Sequence, residues 1–137
     1  MSRADARVGL GTSFVLRLLL GEPVAQARQA VAQLNPMRGA NQRGAVSDLV
    51  AGETYFALHH HYEVPKQLAL EKIRQFLESP EIIALGESLN ILQQSNLGRA
   101  KPDFFDRMIH AEYLRHTSAM VSFEKAAATL PGVRIPK

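Results

Sequence analysis

Cysteine is absent from the 137-residue chain. A disulfide framework and a thiolate metal site are therefore both excluded. Long hydrophobic runs are also missing: Phe14 to Leu20 is the most apolar helical stretch, but Arg17 interrupts it and it is far too short to span a bilayer. The opening residues Met1 to Arg7 lack the apolar core and small-residue cleavage site of a secretory signal. No repeat or low-complexity tract interrupts the chain, and no HExxH zinc signature occurs. A soluble cytoplasmic protein without membrane partners is expected.

What remains is ordinary globular composition, with 46% hydrophobic and 21% charged residues. The length fits one domain over residues 1–137. Net charge is only +3, but it is unevenly spread. Residues 1–50 hold six Lys/Arg against three acids, residues 51–90 three against six, and residues 91–137 seven against four. Basic flanks around an acidic middle suit a polyanion lying across an acidic, metal-holding site, and equally suit plain solvated surface charge.

The pattern alternates helices with short strands. Val8-Gly9-Leu10 is a strand candidate that stops at Gly11, and Thr12 or Ser13 can cap a helix to Leu20. Pro23 suits the first turn of a helix over 23–35, with Val24, Ala27, Val31 and Leu34 on one face. "GANQRG" (39–44) and "NLGRAKP" (96–102) are the loop-like stretches. Ser47 caps a helix over 48–61, Pro65 begins another with Leu68, Ile73, Phe76 and Leu77 apolar, and "EIIAL" (81–85) is a strand. A helix near 87–97, a helix over 103–116, a strand at 119–123 and a final helical turn over "KAAATL" complete the chain. Short apolar strands separated by helices predict a small parallel sheet with helices packed on it.

Several carboxylates stand where apolar residues are expected. Leu49, Val50, Phe56 and Ala57 form a helical stripe, and Glu53 falls inside it. A buried carboxylate needs a cationic partner, either a Lys/Arg or a metal ion. Asp103 and Asp106 can share a face of the 103–116 helix, where Asp106 lines up with Ile109, His110 and Tyr113. They equally form a capping arrangement, with Asp103 as N-cap and Asp106 three residues on. Glu124 ends the last strand candidate as Gly11 ends the first. Strand ends and helix faces meeting in one acidic cleft would offer oxygen ligands only, which favours Mg²⁺ or Mn²⁺ and hydrolysis of a phosphodiester. Gly11 would leave one corner of that cleft without a side chain.

The order of these pieces resembles the PIN-domain nucleases, in particular the VapC-like toxins of bacterial toxin–antitoxin pairs. "VGLGTSFVLRLLLGEP" resembles the family's first strand, acidic turn and first helix. "VSDLVAGETYFAL" resembles its Glu-bearing helix, "DFFDRMIHAEYL" its third acidic motif, and "MVSFEKAAATLPGV" its last strand and closing motif. The resemblance implies a PIN-like three-layer α/β/α domain with a small, mainly parallel sheet, and a Mg²⁺- or Mn²⁺-dependent endoribonuclease. It implies Glu53, Asp106 and Glu124 as metal-holding catalytic acids, with Ser122 as the hydroxyl residue of the last motif. Ser13 would follow the first acid and Asp103 would lie near the substrate. Gly11 occupies the place of the first Asp, so this chain is expected to be catalytically impaired, whether by a change introduced into an active toxin or as a natural degenerate relative. A VapB-like antitoxin, an RNA substrate and a second copy of the chain are the implied partners. A DNA-directed nuclease of the same fold is a further reading.

The rival class is a non-catalytic interaction protein that binds a partner helix. His59-His60-His61 cannot chelate one ion together, because consecutive helical residues point about 100° apart. His110 and His116 are expected at the surface or as caps. Phe104, Phe105 and Tyr113 could stack on bases or fill the core.

Overall fold

The computed structural model describes residues 6–137. Three short parallel strands form the main sheet in the order β1 (Arg7–Gly9), β2 (Arg43–Val46), β3 (Ile82–Ala84). The register pairs Val8 with Gly44 and Ala45 with Ile83, and bonds from Leu10 N to Ala45 O (2.9 Å) and Leu85 N to Val46 O (2.9 Å) extend each ladder at the carboxyl ends. The central strand was expected to be loop as far as Gly44. Its Gly and polar residues gave no alternation, yet flanking strands cover it and bury Gly44, Ala45 and Val46. A Cβ on Gly44 would lie 2.6 Å from Leu10 Cδ1, so this strand uses glycine for close approach rather than for a turn.

Helices outweigh strands, as the pattern predicts. They are α1 (Thr12–Leu20), α2 (Val24–Gly39), α3 (Asp48–Phe56), α4 (Lys66–Glu78), α5 (Ser88–Leu92) and α6 (Phe104–His116). Ser47 caps α3 by accepting from Val50 N (3.2 Å), and Asp103 caps α6 by accepting from Asp106 N (3.2 Å). Each bond satisfies one of the free donors at a helix start. The core gathers Val15, Leu34, Val46, Tyr55, Leu58, Ile73, Ile82 and Phe104 from most of these elements. The chain is thus a mixed α/β fold with a small parallel sheet. Among the described residues no helix is long and apolar enough to cross a membrane.

Several expected faces and boundaries are corrected. Helix α2 continues past Pro36 and buries Ala30, Leu34 and Met37, leaving Val24 and Val31 exposed. The stripe is rotated because Met37, beyond the expected end, sets its phase. Helix α3 buries Ala51, Thr54, Tyr55 and Leu58, while Leu49 is 75% exposed and Phe56 48%. The buried side of α3 is the one with small residues and Thr54, so Glu53 lies on the exposed side. After Phe56 the chain widens into a π-helical turn, Ala57–His61. The expected 87–97 helix is α5 followed by a separate 3-10 turn at Leu97–Arg99, divided where Asn96 takes φ 60°. Only Met120–Val121 of the 119–123 stretch is a strand (β4). It pairs with β5 (Val133–Arg134), apart from the main sheet.

Asp48 joins two carboxyl-side loops of the sheet. Its Oδ2 and Oδ1 accept from Glu87 N (3.1 Å) and Ser88 N (3.0 Å). Gly86 makes this possible: it sits at φ +88°, and a Cβ there would lie 2.5 Å from Asp48 Oδ2. Asp48→Ala removes both charge-assisted bonds and leaves two amides to find water. The expected loss is about 2–3 kcal/mol, read as a lower urea midpoint at unchanged slope, with Asp48→Asn losing less.

Candidate functional site

The expected site residues fall into two groups, and Glu53 is not among the residues that line the cleft holding Asp106. The first surrounds the end of β1. Gly11 is the N-cap of α1, in extended conformation (φ −82°, ψ 164°), and provides no side-chain cap. Thr12 and Ser13, expected as caps, are instead the first residues of the helix. Thr12 Oγ1 donates to Glu53 Oε1 at 2.6 Å, so the strand end and the α3 carboxylate do meet. The partner is a neutral hydroxyl, where a cation was expected. Ser13 is exposed at the start of α1.

The second group lies where α6 begins. Asp103, Asp106 and Glu124 line one open cleft of about 390 Å³. Burial, the Asp103 charge and the Glu124 charge, in that order, raise the Asp106 carboxyl above its ordinary value of 3.8. A raised carboxyl contributes stability at acid pH that is lost as it ionises, so Asp106 weighs against the fold at neutral pH. Glu124 does not end a strand of the main sheet. It caps a 3-10 turn, Lys125–Thr129, by accepting from Ala126 N (3.4 Å), and Ser122 Oγ in turn accepts from Glu124 N (2.9 Å).

Tyr55 stands close to the second group, and nothing in the sequence pattern singles it out. It sits two residues after Glu53, is 3% exposed, and packs edge-to-face on Phe104 at 5.5 Å. Its hydroxyl is buried without a hydrogen bond of ordinary geometry. Burial and the charges of Asp103 and Asp106 push its pKa from 10.0 up to about 12. With the folded value above the unfolded one, the contribution is fully present below pH 10.0 and is lost as pH rises through about 12. Ultraviolet titration should show a tyrosine ionising only near pH 12 in the folded protein, a step absent from Tyr55→Phe.

No family model, curated protein or solved structure matches this chain. The site is therefore argued from its residues alone. Among the described residues no three acidic or imidazole side chains are grouped so as to hold a metal ion. Gly11 supplies no donor, Glu53 is engaged by Thr12, and Asp103 is engaged as a helix cap. As it stands, the donor set does not fit a catalytic divalent cation.

The imidazoles follow a different logic. His59 stacks on Tyr55 and its Nδ1 lies 3.1 Å from Val64 O, while His60 packs on Phe56 at 4.4 Å. These contacts fill the π-helical turn. His110, expected at the surface, is buried, with Nε2 2.7 Å from Pro131 O, and ties α6 to the closing segment. Phe104 is core, Phe105 half-buried and Tyr113 exposed.

Proposed function

We propose that this chain is a PIN-like nuclease domain whose first acidic position is vacated, one that engages RNA without cleaving it. The observation that carries this reading is the freedom around Gly11. Its backbone is extended and available to any residue, and a Cβ built there meets nothing within 4 Å. Neither a turn nor close packing demands glycine, in contrast to Gly86 and Gly44. A side chain can be missing here without consequence for the fold. The neighbouring Thr12–Glu53 bond puts that free space beside a carboxylate.

The remaining acids support the same reading. Asp106, Asp103 and Glu124 line one cleft, where the Asp103 and Glu124 charges help raise the Asp106 carboxyl, and perturbed carboxyls cluster at functional sites. In the toxin–antitoxin setting implied by the resemblance, such a domain could still dimerise and bind its antitoxin. The deciding experiment is Gly11→Asp, assayed on matched RNA and DNA with Mn²⁺ or Mg²⁺. RNA cleavage supports the reading, DNA cleavage alone redirects it to a DNA nuclease, and an inert, folded variant defeats it.

A non-catalytic helix-binding protein is the second reading. It is favoured by the exposed Val24 (59%) and Val31 (47%), which with Ala27 and Ala32 border a shallow apolar cleft on α2.

A further inference from the structure

The cleft that holds the acid trio is also lined by residues of opposite charge. Lys66 at the start of α4, Arg99 at the end of the 3-10 turn and Lys101 in the following loop line it together with Asp103, Asp106 and Glu124. Opposite charges sharing a small cleft ordinarily pair. Here they do not: the ion pairs among the described residues are Arg38–Glu81 and Arg74–Glu78. Among the described residues the three cationic side chains also find no hydrogen-bond partner. The buried Tyr55 hydroxyl lies close to the Asp103 carboxylate.

Cations without an ion-pair partner, lining one cleft with the acids, form a surface for a ligand that the acids alone would repel. A polyanion approaching Asp103, Asp106 and Glu124 meets three like charges. The three cations in the same lining offset it charge for charge. Lysine and arginine offer donors to phosphate oxygens, with arginine able to bind two at once. The geometry points to Lys66, Arg99 and Lys101 as the residues that seat the backbone phosphates of single-stranded RNA and hold that backbone alongside Asp106. This assignment rests on the RNA reading above. It adds the phosphate-positioning residues, which none of the acidic motifs identifies.

The test is fluorescence anisotropy of a labelled single-stranded RNA on the full chain across a salt series. It compares Lys66→Ala/Arg99→Ala/Lys101→Ala with a matched loss of three charges elsewhere, Arg28→Ala/Lys72→Ala/Lys137→Ala. Both variants are first checked for unchanged thermal unfolding, and single substitutions replace the triple if it does not fold. The cleft variant should bind at least about tenfold more weakly. Its log–log salt slope should flatten by about 2, at roughly 0.7 per phosphate for a single strand. The control should stay near wild type. Equal weakening by both variants overturns the assignment, as does a cleft variant that binds like wild type. An acidic peptide of equal charge that binds as tightly and responds identically would reassign the three cations to an acidic protein partner, and also overturns it. Absence of RNA binding by wild type defeats the RNA reading together with this one. Cleavage by Gly11→Asp that survives loss of all three cations defeats only the assignment.

Discussion

Gly11→Asp should raise Mn²⁺-dependent RNA cleavage by about 100-fold or more over the unmodified chain. The size follows from what metal sites lose when their supporting groups are changed: about 10–100-fold for an outer partner, and more for a ligand. The structure favours acceptance of the new side chain. Position 11 is extended, and its Cβ would stand in open space. It is also the N-cap of α1, so aspartate there can accept from the first free amides and lies at the positive end of the helix. A stability gain of a few tenths of a kcal/mol, up to about 1, is expected from cap and dipole together. Gly11→Asn separates the two effects, since it gives the cap without the charge and should gain stability without activity. Gly11→Asp/Glu53→Gln should lose the recovered cleavage, because Glu53 is the carboxylate already held next to this junction by Thr12. A Gly11→Asp protein that is more stable yet inert with either ion would show that the vacancy is not what silences the chain.

The parts of this fold that could be read from sequence are those with local causes. Ser47, Asp103 and Pro65 mark helix starts because capping and proline geometry are decided within one turn of chain, and all three helices begin there. Strand β2 has no such local signature. Its four residues become a strand through the neighbours on both sides, which are distant in sequence. The phase of α3 differs from its large apolar stripe for a related reason. Gly52 is what allows α6 to approach, with Met108 and Phe105 about 3.1 Å from any Cβ at position 52. The site divides in the same way. Asp103 and Asp106 are neighbours by helical spacing, and Glu124 lines the same cleft from the cap of a 3-10 turn, without Glu53. Glu53 was expected to need a cation and has Thr12 instead. Tyr55, Lys66, Arg99 and Lys101 come from three separate segments. Nothing in their spacing could announce that they converge.

Phe104→Ala should cost about 3–5 kcal/mol, the range for removing a fully buried phenylalanine. That is a large share of the roughly 5–15 kcal/mol that holds a typical domain together. Phe104 is 0% exposed and stands edge-on to Tyr55 at 5.5 Å and 82°. An aromatic pair of this geometry adds about 0.5–1.5 kcal/mol beyond its buried area. The position also couples the core to the site. Phe104 is the first residue of α6, directly after the Asp103 cap and two before Asp106. Its ring anchors the helix start that presents both acids. Phe104→Leu keeps most of the apolar volume and should lose less than half as much. Urea unfolding with unchanged slope would attribute the difference to the native state. In Phe104→Ala the cavity opens against Tyr55, whose hydroxyl faces Asp103, and the late tyrosine ionisation near pH 12 should move toward its ordinary value of 10.0. A Phe104→Ala protein that unfolds within about 1 kcal/mol of wild type and keeps the late ionisation would mean that α6 is held by other contacts. The acids would then be positioned independently of the core, and Tyr55 would owe its raised pKa to the Asp103 and Asp106 charges more than to its burial.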